Sequence, residues 1–133
     1  DAVFQLFAQK QQQQFGAYQI DWLQAYTLGK FFVGTDQVDE MPKFLALLKQ
    51  QQPASFNEVS IQFAKMYNKL KQPQQALDLL AQADLTHSAE GLKQKSDALK
   101  AVGQTEQAAE LLKQAQHLAK QQQLDLWQQM ELR

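Results

Sequence analysis

The sequence predicts an all-α fold, a stack of antiparallel helix hairpins with about seven helices in a single domain. Three observations carry that reading. The 133 residues include five glycines and three prolines, and the stretches between them are rich in Ala, Leu, Gln, Lys and Glu, residues that lose little on entering a helix. Apolar residues recur at three- and four-residue steps, and nothing alternates as a half-buried strand would. The chain also matches itself at a shift of 32 residues, a length that belongs to stacked supersecondary units.

The elements follow in order from the breaks between them. An opening helix runs up to Phe15-Gly16. Ile20–Gly34 and Asp39–Gln50 then form a degenerate hairpin, with Trp22, Leu23, Tyr26 and Phe31 facing Phe44, Leu45 and Leu48. After Pro53, Ser55-Phe56-Asn57-Glu58 reads as a capping box, with the Ser55 hydroxyl capping a backbone N–H and Glu58 reaching back to the Ser55 amide. Further turns fall at Lys71–Pro73 and Asp84–Ser88. Ser88 suits an N-cap, and Gly103 suits the left-handed residue that closes a helix. A last break around Gln121–Asp125 separates a C-terminal capping segment. The single domain therefore divides into residues 1–54, a degenerate hairpin with its capping helix; 55–121, two clear repeats; and 122–133, the cap.

The repeat lies in the middle division. Gln72-Pro-Gln-Gln-Ala-Leu-Asp-Leu-Leu-Ala-Gln-Ala83 falls over Gln104-Thr-Glu-Gln-Ala-Ala-Glu-Leu-Leu-Lys-Gln-Ala115, identical at seven of twelve positions. Upstream, Tyr67 falls over Leu99 and Leu70 over Val102, which extends the match onto the apolar face of the preceding helix.

On these residues the chain resembles the tetratricopeptide repeat family. The family's small residue in the first helix falls on Ala64, its aromatic on Tyr67, the alanine opening the second helix on Ala76, the bulky residue one turn on at Leu80, and the closing alanine on Ala83. In the second copy the same roles fall on Ser96, Leu99, Ala108, Leu112 and Ala115, with Gly103 in the tight turn. Small residues let paired helices touch while large ones fill the groove between neighbours. The resemblance implies a right-handed superhelix in which Ala76, Ala83, Ala108 and Ala115 are buried at helix contacts. The spacing departs from the family's usual 34, Ser88 stands where a closing proline is usual, and Lys95 stands where leucine is preferred.

Composition excludes several functions. An apolar fraction of 44% supports a core, and 13 basic against 14 acidic residues leave a net charge of −1, with no surplus to gather phosphates. Nucleic acid is not an expected partner. Without cysteine there are no disulfides and no thiolate metal sites. No apolar run reaches the roughly 18 to 20 residues of a membrane span. Phosphate loops, dinucleotide glycine patterns, nucleophile elbows and zinc-protease motifs are all absent, so no catalytic residue, metal or cofactor is expected. His87 and His117 are too far apart in sequence for a local ligand pair, and Asp36, Asp39 and Glu40 lack the glycine and final ligand of a calcium loop. The 27 glutamines read as solvated helix faces and helix ends.

The resemblance implies that the outer face of each first helix lines a concave groove for an extended peptide or a helix. Glu58, Ile61, Lys65, Asn68 and Lys69 would stand there in one repeat, and Glu90, Lys93, Asp97 and Lys100 in the next. The expected peptide-binding residues are therefore Lys65, Asn68, Lys69, Lys93, Asp97 and Lys100, the four lysines meeting an acidic segment and Asn68 its backbone. Ile61 and Lys65 occupy the first two places of the family's chaperone-tail carboxylate clamp, which disfavours that ligand. The expected function is a non-enzymatic protein-binding scaffold. A rival expectation is a structural or dimerisation domain, pairing as a homodimer, or the regulatory domain of a larger bacterial protein, acting through the aromatics crowded into the first quarter: Phe4, Phe7, Phe15, Tyr18, Trp22, Tyr26, Phe31 and Phe32.

Overall fold

A computed structural model describes residues 20–131, with side chains described as far as residue 123. The expected opening helix, and with it Phe4, Phe7, Phe15 and Tyr18, lies outside the described residues. Within them the chain is all-helical: α1 (Trp22–Gly34), a 3-10 turn (Val38–Glu40), α2 (Met41–Gln51), α3 (Pro53–Lys69), α4 (Pro73–Leu80), α5 (Ala89–Ala101) and α6 (Thr105–Glu131). That makes six α-helices among the described residues rather than seven.

Each helix start has a local cause. Asp21 caps α1 in a reciprocal box, its Oδ1 accepting from Gln24 N–H at 2.8 Å while Gln24 Oε1 accepts from Asp21 N–H at 3.1 Å. All three prolines open helices: Pro42, Pro53 and Pro73 sit in the first turns of α2, α3 and α4, where no amide donor is missed and φ is already helical. Ser88 caps α5 as expected, its Oγ accepting from Gly91 N–H at 2.9 Å.

The expected capping box at Ser55 does not form. Proline sets the start of α3 two residues earlier, and the buried Ser55 Oγ instead accepts from Ile20 N–H at 2.9 Å, tying the entry of α1 to α3. The expected break at Gln121–Asp125 is also absent. With no glycine or proline beyond Gly103 and many good helix formers, nothing interrupts α6.

Three helices end in the same way. At the close of α1, α3 and α5 the backbone turns through a left-handed residue: Asp36 (φ 58), Lys71 (φ 61) and Gly103 (φ 92). The next amide bonds back into the helix each time, Gln37 to Phe32 O at 2.8 Å, Gln72 to Tyr67 O at 2.9 Å and Gln104 to Leu99 O at 2.9 Å. This is the Schellman arrangement, which satisfies otherwise orphaned carbonyls. Laying Asp36 over Lys71 and Gly103 puts Gly29 over Ala64 and Ser96, and Phe32 over Tyr67 and Leu99, all of them buried.

Packing follows that period in part. α1 lies against α3 and α3 against α5, and α4 and α6 pack on the helix that precedes them, whereas α2 packs mainly on α3, which follows it, and meets α1 through the Phe32–Phe44 ring pair. Contacts Ile20–Ser55 at one end and Gly29–Met66 at the other make α1 and α3 run in the same direction. Lys65–Glu90 and Asn68–Gln94 do the same for α3 and α5. Close approach needs small residues: a Cβ on Gly91 would meet Leu85 Cδ2 at 2.6 Å and Ile61 Cδ1 at 3.1 Å.

The core lies between α1, α2 and α3, where Phe32, Phe44 and Phe63 meet with centroids 5.6 to 5.9 Å apart, the spacing of favourable ring pairs. Tyr67 O–H donates to Val38 O at 3.1 Å and so pins the 3-10 turn onto α3. Ala76, Ala108 and Ala115 are buried as expected, but Ala83 is only partly buried, because α4 ends at Leu80 and leaves Ala83 in the following loop. Leu112 is 38% exposed. No further helix stacks there among the described residues.

Candidate functional site

α3 and α5 bring two stretches of lysine-bearing helix side by side, and the cleft between them is about 650 Å³. Five of the six residues expected from the sequence line it: Lys65, Asn68 and Lys69 from α3, Lys93 and Asp97 from α5. Lys100 stands in the last turn of α5 outside that lining, where Ala101 forms the wall. Lys71, Pro73 and Gln94 complete the cleft. Lys71 reaches it because the left-handed turn swings the chain back towards α5, and no residue type at that position announces such a turn.

Asn68 is engaged within the fold. Its Nδ2 donates to Gln94 O and to Gln94 Oε1, both at 3.0 Å, so it clasps α3 to α5. Only its Oδ1 is left to accept from a ligand, which narrows the backbone-contact role expected for it. Gln94 is 5% exposed, so this clasp forms the floor of the cleft.

Charge is concentrated beside the floor. Lys30, Lys65 and Lys69 surround the ring of Tyr26, their Nζ atoms 5.5, 5.5 and 5.3 Å from its centroid. Each contact offers roughly 0.5 to 1 kcal/mol at an exposed site, which offsets part of the repulsion among three ammonium groups. Lys65 also pairs with Glu90 at 3.2 Å. Lys30 and Lys69 form no ion pair with a carboxylate among the described residues. Tyr26 and Lys30 are absent from the sequence-based set, although Lys30 falls over Lys65 once Asp36 is laid over Lys71. The first repeat is too degenerate for that register to be found without the turns.

The opposite end of the same face is acidic. Glu58 in α3 and Glu90 in α5 lie near one another and near Asp21. Burial holds the Glu58 carboxyl above its usual range, and the neighbouring Glu90 and Asp21 carboxylates push it the same way. Among the described residues no three histidine, aspartate or glutamate side chains gather as a metal site requires, and no helix is long and apolar enough to cross a membrane.

Comparison with protein-family models, with characterised proteins and with solved structures finds no significant match.

Proposed function

We propose that this chain is a non-enzymatic, tetratricopeptide-like scaffold whose cleft between α3 and α5 holds an acidic polypeptide segment. The observation that carries this reading is the convergence of Lys65, Lys69, Lys71 and Lys93 on one cleft in a chain of net charge −1. Placed cations steer an acidic partner and set its register more than they add raw affinity. Support for the repeat architecture comes from the three matching turns at Asp36, Lys71 and Gly103, and from small residues where first helices meet. α3–α4 and α5–α6 would then be two successive hairpins of a right-handed superhelix, with α1–α2 a degenerate hairpin before them.

The test is association with a blocked, glutamate-rich peptide. Reversing Lys69 and Lys93 to glutamate should slow association by about tenfold and flatten its dependence on salt. Lys100→Glu should have a smaller effect. Affinity indifferent to the paired reversal and to ionic strength would remove the cleft as the binding site.

A second reading, a dimerisation or structural domain, is favoured by one observation. Leu23 is 54% and Phe31 45% exposed, and with Thr27 they follow at four-residue steps along one side of α1. Phe32, by contrast, is fully buried and belongs to the core. Sedimentation of the wild type and of a Leu23→Ala, Phe31→Ala variant decides this reading, since a monomer in both cases removes it.

A further inference from the structure

Towards the N-terminal ends of α3 and α5 lies a second depression of about 400 Å³, whose walls include Trp22, Glu58, Gln62, Lys65, Glu90 and Gln122. His87 and Ser88 also line it, and the Gln122 amide, which donates to His87 O at 3.1 Å, closes one side. Glu58 and Glu90 contribute carboxylates, which only accept hydrogen bonds. Lys65 is the one ammonium group in the lining, and it is already engaged with Glu90 at 3.2 Å. Glu58 forms no ion pair among the described residues.

Gln62 adds an independent observation. The residue is 3% exposed, yet its Oε1 has no hydrogen-bond partner. Buried acceptors are nearly always satisfied, and leaving one unpaired costs free energy. Trp22, which is 59% exposed, belongs to the same lining, and indole is the aromatic group that best attracts a cation. A carboxylate without an ion pair, an indole in the lining and a lining glutamine whose buried acceptor lacks a donor together favour a cationic group that carries N–H donors on an apolar stem.

We propose that the pocket of Trp22, Glu58, Gln62 and Glu90 receives one arginine or lysine side chain, presented by the same polypeptide segment whose acidic residues occupy the lysine cleft. Lys65 is common to the walls of both depressions, so they adjoin along the α3–α5 face and one extended segment can occupy both. The segment's presence rests on the function proposed above. The pocket's preference for a cation rests on its own residues.

The test is an NMR titration of the isotopically labelled full chain with N-acetylarginine methylamide and with its citrulline counterpart, which is nearly isosteric but uncharged. The arginine compound should shift the Trp22 indole and Gln62 side-chain amide signals saturably, and citrulline should not. Glu58→Gln should weaken the arginine response about tenfold, the loss expected when a charged partner becomes neutral. A Glu58→Gln, Glu90→Gln variant should abolish it. The Lys69→Glu, Lys93→Glu variant should retain it even if the cleft binds nothing, which separates failure of this pocket from failure of the cleft. Equal responses to arginine and citrulline, or an arginine response unchanged by Glu58→Gln, would overturn the assignment. A glutamate-rich peptide carrying one arginine should bind about tenfold more tightly than its citrulline twin. If the small compound binds but the peptide gains nothing, the pocket serves a free guanidinium compound and the shared-segment proposal fails.

Discussion

Lys65 Nζ lies 3.2 Å from Glu90 Oε1, and this pair marks the line along which the α3–α5 face changes sign. On one side stand Asp21, Glu58 and Glu90, near the starts of α1, α3 and α5. On the other stand Lys30, Lys69 and Lys100, near their ends. Because α1, α3 and α5 run in the same direction their termini line up, and Asp21 at the N-cap of α1, Glu90 in the first turn of α5, and Lys69 and Lys100 in the last turns of α3 and α5 carry the charge that those termini favour. The binding proposed for this face would read an opposite charge pattern on a partner, so helix stabilisation and recognition would draw on some of the same side chains.

The raised Glu58 pKa predicts a pH-dependent stability cost. A carboxyl whose folded-state pKa exceeds its unfolded value takes up protons preferentially in the folded state, so folding is favoured below both values. That contribution is lost as pH rises through the folded pKa, and above it the ionised form is a net burden. Glu58→Gln should raise the melting temperature near about pH 7 and have no such benefit near about pH 3, where the carboxyl is largely protonated in both states. Thermal melts of the two proteins across this range measure the difference. A gain that persists unchanged at low pH would show that the effect is not electrostatic.

Ala108 is 3% exposed and its carbonyl accepts from Ser96 O–H at 2.6 Å, so α5 and α6 approach closely there. Ala108→Leu should destabilise the chain by about 1 to 3 kcal/mol through overpacking. Urea denaturation measures this as a shift in midpoint at constant slope. An unchanged midpoint would mean that the α5–α6 contact is not packed as described.

Lys71 occupies the left-handed region at φ 61, where Gly103 stands in the matching turn. A non-glycine residue pays about 1 to 2 kcal/mol for that conformation, and glycine gives back part of the gain through its freer unfolded state. Lys71→Gly should therefore stabilise the fold by up to about 1 kcal/mol while weakening binding to an acidic peptide. Denaturation and binding measured on one sample of this variant test both halves. Loss of stability would mean that the Lys71 side chain contributes packing that outweighs its backbone strain.

Much of the fold was legible in the chain because its causes are local. Helix periodicity, Ser88 at an N-cap and Gly103 at a C-terminal turn each depend on a few neighbouring residues, and the 32-residue self-match exposed the units that stack. The lysine cleft was legible in outline only through the resemblance, which implied that the faces bearing Lys65, Lys69 and Lys93 line one groove. Ser55 misled because its capping signature competed with Pro53, and a tertiary bond to Ile20 claimed its hydroxyl.

By itself the sequence determined that the chain is helical, where most helices begin and end, and which lysines share a face, since these depend on residue type and local spacing. Only the tertiary structure decided that Asn68 is spent on Gln94, that Lys30 and Tyr26 join Lys65, that Lys71 turns into the cleft, and that Gln62 is buried without a partner for its Oε1. Each of those is set by the distance between helices far apart in the chain, and such distances follow from how side chains of different elements interlock rather than from any pattern along one of them.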